Sequence, residues 1–284
     1  MGNYEDVYYT VADGLTLYAR DYAGPNADSP VALCMHGLTR NSRDFAELAP
    51  ILARSHRVVV PEQRGRGKSE YDSDIQRYNP LTYNGDTFAL LAHLGISRCA
   101  VVGTSMGGLM AMGMNAVAPA LFSHVVLNDI GPEIAEEGLN RIKSYVGTGG
   151  ACENWEGAVA VTQTLGAAAF PNYTTAQWQQ FAKQIFVERD GQVVLDYDPQ
   201  IAAPMREDDS AAVPPDLWPV YDLLATKPLL LVRGEITDLL DMSCVEEMQR
   251  RHPAMRLLQV PEVGHAPQLN EAGVAETIAE FINS

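Results

Sequence analysis

Ser105 stands in Gly103-Thr104-Ser105-Met106-Gly107, a G-x-S-x-G pattern between the apolar run Cys99 to Val102 and a helix-like stretch from Gly108 to Val117. A strand that turns at once into a helix passes through a tight bend. Glycines two residues to either side let neighbouring backbone close in, and the bend holds the serine hydroxyl clear of the sheet. Ser105 is therefore read as a nucleophile, which needs a base within reach. His265, in Glu262-Val263-Gly264-His265-Ala266-Pro267, follows the last predicted strand among turn formers and fits that role.

A third group, a carboxylate, must orient the imidazole and stabilise its cation. Asp238, in Gly234-Glu235-Ile236-Thr237-Asp238, is the chosen acid because its loop lies at the carboxyl edge of a predicted strand. Asp129, at the end of an earlier strand, is its rival, while Asp241 reads as the N-cap of the next helix. Negative charge on a tetrahedral intermediate calls for preformed donors, and the backbone amides of Met106 and Leu38 are the candidates. Gly37 lets the chain approach the substrate oxygen, and the neighbouring His36 is read as bonding its own loop.

These groups need a scaffold. Strand-like stretches Tyr8 to Val11 and Leu15 to Asp21 flank the turn signal Asp13-Gly14 and predict an antiparallel hairpin. Apolar runs at Val31 to Met35, Arg57 to Val60, Ala100 to Gly103, Val125 to Asn128, Pro228 to Arg233 and Met255 to Val260 predict further strands. They are separated by helical patterns at Phe45 to Leu52, Thr82 to Leu94, Gly108 to Val117 and Cys244 to Arg251, with a last helix at Ala272 to Phe281. Strands so continuously apolar must be covered on both faces, which makes this an α/β protein with a mostly parallel, doubly wound sheet. From Pro132 to about Pro215 the strand pattern lapses. Leu139 to Val146, Trp155 to Leu165 and Thr175 to Arg189 read as helices, between loops such as Glu207 to Ser210 and Val213 to Pro215. The expected organisation is a core of residues 1–131 and 216–284 with a helical cap inserted at 132–215.

The chain has 284 residues, 46% of them hydrophobic, and carries a formal charge of −16, so its average field repels nucleic acid, anionic lipid and polyanionic substrates. A small, neutral or weakly charged substrate is the expected partner; oligomeric state is not legible. No apolar run approaches the roughly 20 residues that a membrane helix needs. The acidic start Met1 to Asp6 lacks the basic and apolar regions of a signal peptide, so a cytoplasmic location is expected. The four cysteines and six histidines are scattered without ligand-pair spacing, and no metal or other cofactor is expected. Arg64-Gly65-Arg66-Gly67-Lys68-Ser69 is basic and glycine-rich but lacks the spacing of a phosphate-binding loop.

Taken together, His36-Gly37, Arg64 to Ser69, Gly103 to Gly108, Gly234 to Asp238 and Gly264-His265 resemble the α/β-hydrolase fold superfamily over nearly the whole chain. The resemblance implies an eight-stranded, mostly parallel sheet, a Ser-Asp-His triad and a variable cap after the sixth strand. Two departures stand out: Glu62 replaces an aspartate common before Gln63-Arg64-Gly65, and no tryptophan follows His265 as in some carbon-carbon bond hydrolases.

The expected activity is hydrolysis of a small carboxylic ester through an acyl-serine. Hydrolysis of an enol-lactone or of a carbon-carbon bond in a 1,5-diketone, and a non-catalytic receptor on the same fold, are the alternatives. A carbon-carbon hydrolase would need a cation for the substrate carboxylate, with Arg141, Lys143, Lys183, Arg189 and Arg206 as candidates. The insertion is rich in aromatics. Most are read as packing residues, with Tyr145 and Trp155 as candidate pocket residues beside His36, Gly37 and Asp129.

Overall fold

The computed structural model describes residues 3–204 and 216–284. Arg206, the stretches Glu207 to Ser210 and Val213 to Pro215, and the expected end of the cap lie outside the described residues. In chain order the first half contains β1 (Glu5–Thr10), β2 (Thr16–Tyr22), β3 (Val31–Met35), α1 (Leu48–Leu52), β4 (Arg57–Glu62), α2 (Pro80–His93), β5 (Cys99–Thr104), α3 (Met106–Val117) and β6 (Phe122–Asn128). Next come α4 (Glu136–Tyr145), α5 (Trp155–Gly166), α6 (Thr175–Ile185), β7 (Phe186–Arg189) and β8 (Gln192–Leu195). The chain closes with α7 (Trp218–Asp222), β9 (Leu229–Gly234), α8 (Met242–Arg251), β10 (Arg256–Val260) and α9 (Val274–Ile282).

Eight strands form one sheet in the order β1-β2-β4-β3-β5-β6-β9-β10. β1 pairs with β2 and β2 with β4 antiparallel; every pairing from β4 onward is parallel. The Asp13-Gly14 turn closes the first hairpin, with Gly14 at φ +93°, a left-handed conformation that glycine adopts without a Cβ penalty.

Alternation along the strands divides the core. Leu33, Val59, Val101, Leu127 and Leu231 face α2, α3 and α8, whereas Cys34, Val60, Val102, Val126 and Val232 face α1 and α9. All ten are fully buried. Each aliphatic side chain so removed from water contributes about 1.5–3 kcal/mol before conformational entropy is charged against it. The parallel strands therefore bring their carboxyl ends, and the loops after Met35, Thr104, Asn128, Gly234 and Val260, to one edge. That edge is where ligands of such sheets bind.

One expected helix is too long. The pattern from Thr175 to Arg189 predicts a single helix, but α6 ends at Ile185, and Phe186–Arg189 pairs antiparallel with Gln192–Leu195 instead. Asp190 and Gly191 close this hairpin with φ of +51° and +76°, and β-branched Val187, Val193 and Val194 suit its pleat. Among the described residues, no helix is long and apolar enough to cross a membrane.

Candidate active site

The junction of β5 and α3 holds Ser105 at φ +51°, ψ −114°, a region that a side chain enters only when its surroundings force it. Glycines make the bend possible. A Cβ at Gly103 would overlap the Gly107 carbonyl, and one at Gly107 would overlap the Met35 carbonyl at the end of β3. Strand and helix therefore close on each other until only the serine projects from the sheet edge.

His265 lies on the loop after β10. Its Nε2 is 2.9 Å from Ser105 Oγ and its Nδ1 is 2.8 Å from Asp129 Oδ2. An ionised carboxylate only accepts, so Nδ1–H donates to Asp129, which leaves Nε2 to accept the serine proton. Asp129 is fully buried at φ +56° directly after β6, and it is held from two further sides. The Gly234 amide donates to Oδ1 at 2.8 Å and the Thr237 hydroxyl to Oδ2 at 2.6 Å.

Asp238, the acid chosen from sequence, is not the partner of His265. Its carboxylate takes the Arg141 guanidinium of α4, with Nη2 donating at 2.8 Å. Burial works to raise the Asp238 pKa, but the hydrogen bonds and charge of Arg141 outweigh it and the carboxyl is held below its ordinary value. The loop after β9 thus supplies Thr237, which holds Asp129, in place of the carboxylate that meets His265. Asp241 does stand at the N-cap position of α8, without a side-chain capping bond.

Asn128 ties these loops together. Its Nδ2 donates to Thr104 Oγ1 at 3.1 Å, just before the serine, and to Pro267 O at 2.8 Å, just after the histidine. The Gly264 amide donates to Ala169 O at 2.7 Å, so the segment following α5 also grips the histidine loop. Sequence reasoning missed Asn128 and Thr237, although each directly precedes one of the two candidate acids.

Leu38 and Met106 flank the serine from the β3 loop and the start of α3. Neither backbone amide has a hydrogen-bond acceptor within the described residues, so both donors remain available. Arg66, fully buried, holds Leu38 in place by donating from Nε to its carbonyl at 2.9 Å and braces against Tyr83. Glu62 ties that loop to the one after β4, accepting from the Ser42 hydroxyl at 2.6 Å and from the Lys68 amide. Burial raises its pKa despite these donors. His36 is structural: Nδ1–H donates to Gly37 O at 2.7 Å and Nε2 accepts from the Gln63 amide at 3.1 Å. Burial pushes its pKa down to about 4. Arg64 is sealed among Asp13, Asp72 and Asp86, so its guanidinium is not free for a phosphate.

A cavity of about 140 Å³ opens above Ser105 and His265. Gly37 and Leu38 form one wall, Tyr145 and Arg141 another, and Phe170, Phe181 and Tyr197 add aromatic surface. Of the candidate pocket residues, Gly37 and Tyr145 line it. His36 is turned into its loop, Asp129 stands behind His265, and Trp155 packs on Ala158, Ile185, Phe186 and Val193. Among the other candidate cations, Lys183 is exposed on α6 and Arg189 pairs with Asp196; neither lines the cavity.

The sequence pattern described as the alpha/beta hydrolase family matches residues 32–277, and the chain belongs to that family. It is 36% identical over 261 residues to the 3-hydroxybutyrate-oligomer hydrolase of Cupriavidus necator, covering 89% of this chain and 88% of that protein. It is 27% identical to the 2-(acetamidomethylene)succinate hydrolase of Mesorhizobium japonicum, over 95% of this chain and 91% of the relative. Among solved structures, an alpha/beta hydrolase from Novosphingobium aromaticivorans superposes with a TM-score of 0.94 at 43% identity, covering 100% of this chain and 99% of the other.

Proposed function

We propose that the protein is a serine hydrolase that cleaves a short carboxylic ester through an acyl-serine intermediate. The observation that carries this reading is the unbroken hydrogen-bonded chain Ser105–His265–Asp129 at the floor of the cavity. In the first step Ser105 Oγ attacks the ester carbonyl while His265 Nε2 takes its proton. The oxygen that gains the charge is met by the Leu38 and Met106 amides. Collapse of the tetrahedral intermediate breaks the bond to the alcohol oxygen, to which His265 returns the proton. Water, activated by the same imidazole, then attacks the acyl-serine and releases the acid. Asp129 keeps the imidazole in the working tautomer and stabilises its cation throughout.

The cavity volume resembles the roughly 150 Å³ that accommodates benzene, which favours short acyl or alcohol groups. The similarity to a 3-hydroxybutyrate-oligomer hydrolase supports esters of short hydroxy acids as the substrate class. The test is hydrolysis of p-nitrophenyl esters of increasing acyl length by the wild type, Ser105→Ala and His265→Ala. Turnover that favours acetyl and butyryl esters and is lost in both variants is the expected result. Turnover that survives Ser105→Ala would overturn the mechanism.

A further inference from the structure

The cavity wall carries charge that ester cleavage does not require. In a chain of net charge −16, the charged residues lining the cavity among those described are Arg40, Asp44 and Arg141, beside His265. Arg40 is matched within the wall by Asp44, with Nη2 to Oδ1 at 2.6 Å, and its guanidinium lies 4.5 Å over the Phe181 ring. Arg141 is different, because its partner Asp238 does not line the cavity. Asp238 takes the Nε edge and one side of Nη2, which leaves the Nη1 edge with further donors. Tyr145, one turn along α4, stands within side-chain hydrogen-bonding reach of Arg141, so its hydroxyl takes at most one of these donors, and it feels the Arg40 charge as well.

The Arg141–Asp238 pair is not the only tie between α4 and the loop after β9. The Gly138 amide already donates to the Asp238 carbonyl and the Ala135 amide to the Leu239 carbonyl, both at 3.0 Å. A carboxylate behind a guanidinium fixes the plane of the fork and aims its free edge, as a buttressed anion site requires. Resting on the ester-hydrolase reading above, we infer that Arg141, with Tyr145 beside it, holds a carboxylate carried by the substrate ester. The substrate is then a half-anionic ester, one reacting carbonyl at Ser105 and one free carboxylate at the α4 wall. Asp238 acts as a positioning residue for Arg141.

The probes are 3-acetoxybutyrate and its neutral twin 3-acetoxybutyramide, with acetate release measured for the wild type, Arg141→Gln and Arg141→Lys. The quantity read is the ratio of kcat/KM for acid over amide, which cancels any loss of folded protein. A charge-assisted fork predicts a ratio of about 10 to 100 in the wild type, near one in Arg141→Gln and intermediate in Arg141→Lys. A wild-type ratio near one, or a ratio that Arg141→Gln leaves in place, overturns the anchor. If both probes are cleaved equally and Ser105→Ala abolishes both, the esterase reading stands and the carboxylate site alone falls. If neither is cleaved, calorimetric binding of the two probes to Ser105→Ala, with and without Arg141→Gln, decides the anchor separately. Preference for the acid that disappears with Arg141 supports it, and equal binding overturns it.

Discussion

Replacing Asp129 by Asn keeps the shape of the acid and removes its charge, with a calculable consequence. Asp129 Oδ1 accepts from the Gly234 amide, and Oδ2 accepts from both Thr237 Oγ1 and His265 Nδ1. If the asparagine carbonyl keeps Gly234, its NH₂ lies where Oδ2 was and faces the His265 Nδ1–H, while the Thr237 hydroxyl can turn to accept from it. His265 can avoid the clash only by moving its proton to Nε2, and it then cannot accept from Ser105. With the amide flipped, NH₂ meets the Gly234 N–H in a buried site instead. The first arrangement forfeits the working tautomer, the second leaves two buried donors opposed, and both lose the charge that stabilises the imidazolium; where the tautomer is lost the defect costs about 10⁴-fold in kcat in enzymes of this chemistry, or about 5.5 kcal/mol of barrier. Asp238→Asn removes a partly exposed ion pair with Arg141 and lowers kcat for a neutral ester by less than about 10-fold. The assay is steady-state hydrolysis of p-nitrophenyl acetate by both variants at saturating substrate, with circular dichroism to verify folding. A collapse in Asp238→Asn beside near-normal turnover in Asp129→Asn would refute the assignment of the acid.

Other consequences follow from the same contacts. Asn128→Ala frees the Pro267 carbonyl and the Thr104 hydroxyl, loosening the histidine loop against the serine, and is expected to lower kcat by about 10- to 100-fold with a smaller change in KM. Gly107→Ala, stabilising by about 1 kcal/mol in an ordinary helix, is expected instead to lower the melting temperature and abolish turnover, because its Cβ meets the Met35 carbonyl. His36 has its folded-state pKa depressed from the usual imidazole value near 6.5 to about 4, so the unfolded chain takes up the proton first. Its contribution of about 3 kcal/mol is whole above pH 6.5 and is lost as pH falls towards 4. Denaturant titrations at pH 7 and pH 4.5 should show a pH-dependent loss of stability that is smaller in His36→Gln than in the wild type.

The order of strands and helices was legible because buried parallel strands are apolar throughout and their helices keep the 3.6-residue period. That Ser105 and His265 would come together was legible because each sits in a local pattern with one mechanical purpose. The carboxylate that meets His265 was not. Asp129 and Asp238 both follow strands at the same edge of the sheet, and sequence cannot tell which carboxylate turns towards the imidazole. Arg141, distant in sequence, takes Asp238 out of contention. The β7–β8 hairpin was lost for a different reason: the helical spacing of Trp178, Phe181, Ala182 and Ile185 runs on into Phe186 and masks the strand. The Asp190-Gly191 turn signal was present and marks where the helical reading had to stop.

The central claim is a covalent bond between Ser105 and the acyl group. It is tested most directly by mixing the protein with p-nitrophenyl acetate, quenching in acid within the first turnover, and mapping peptides by mass spectrometry. The account predicts one acetyl group on the peptide that contains Ser105, formed with the burst of nitrophenol and absent from Ser105→Ala. Hydrolysis at full rate with no acetylated Ser105 peptide under any quench time would contradict it.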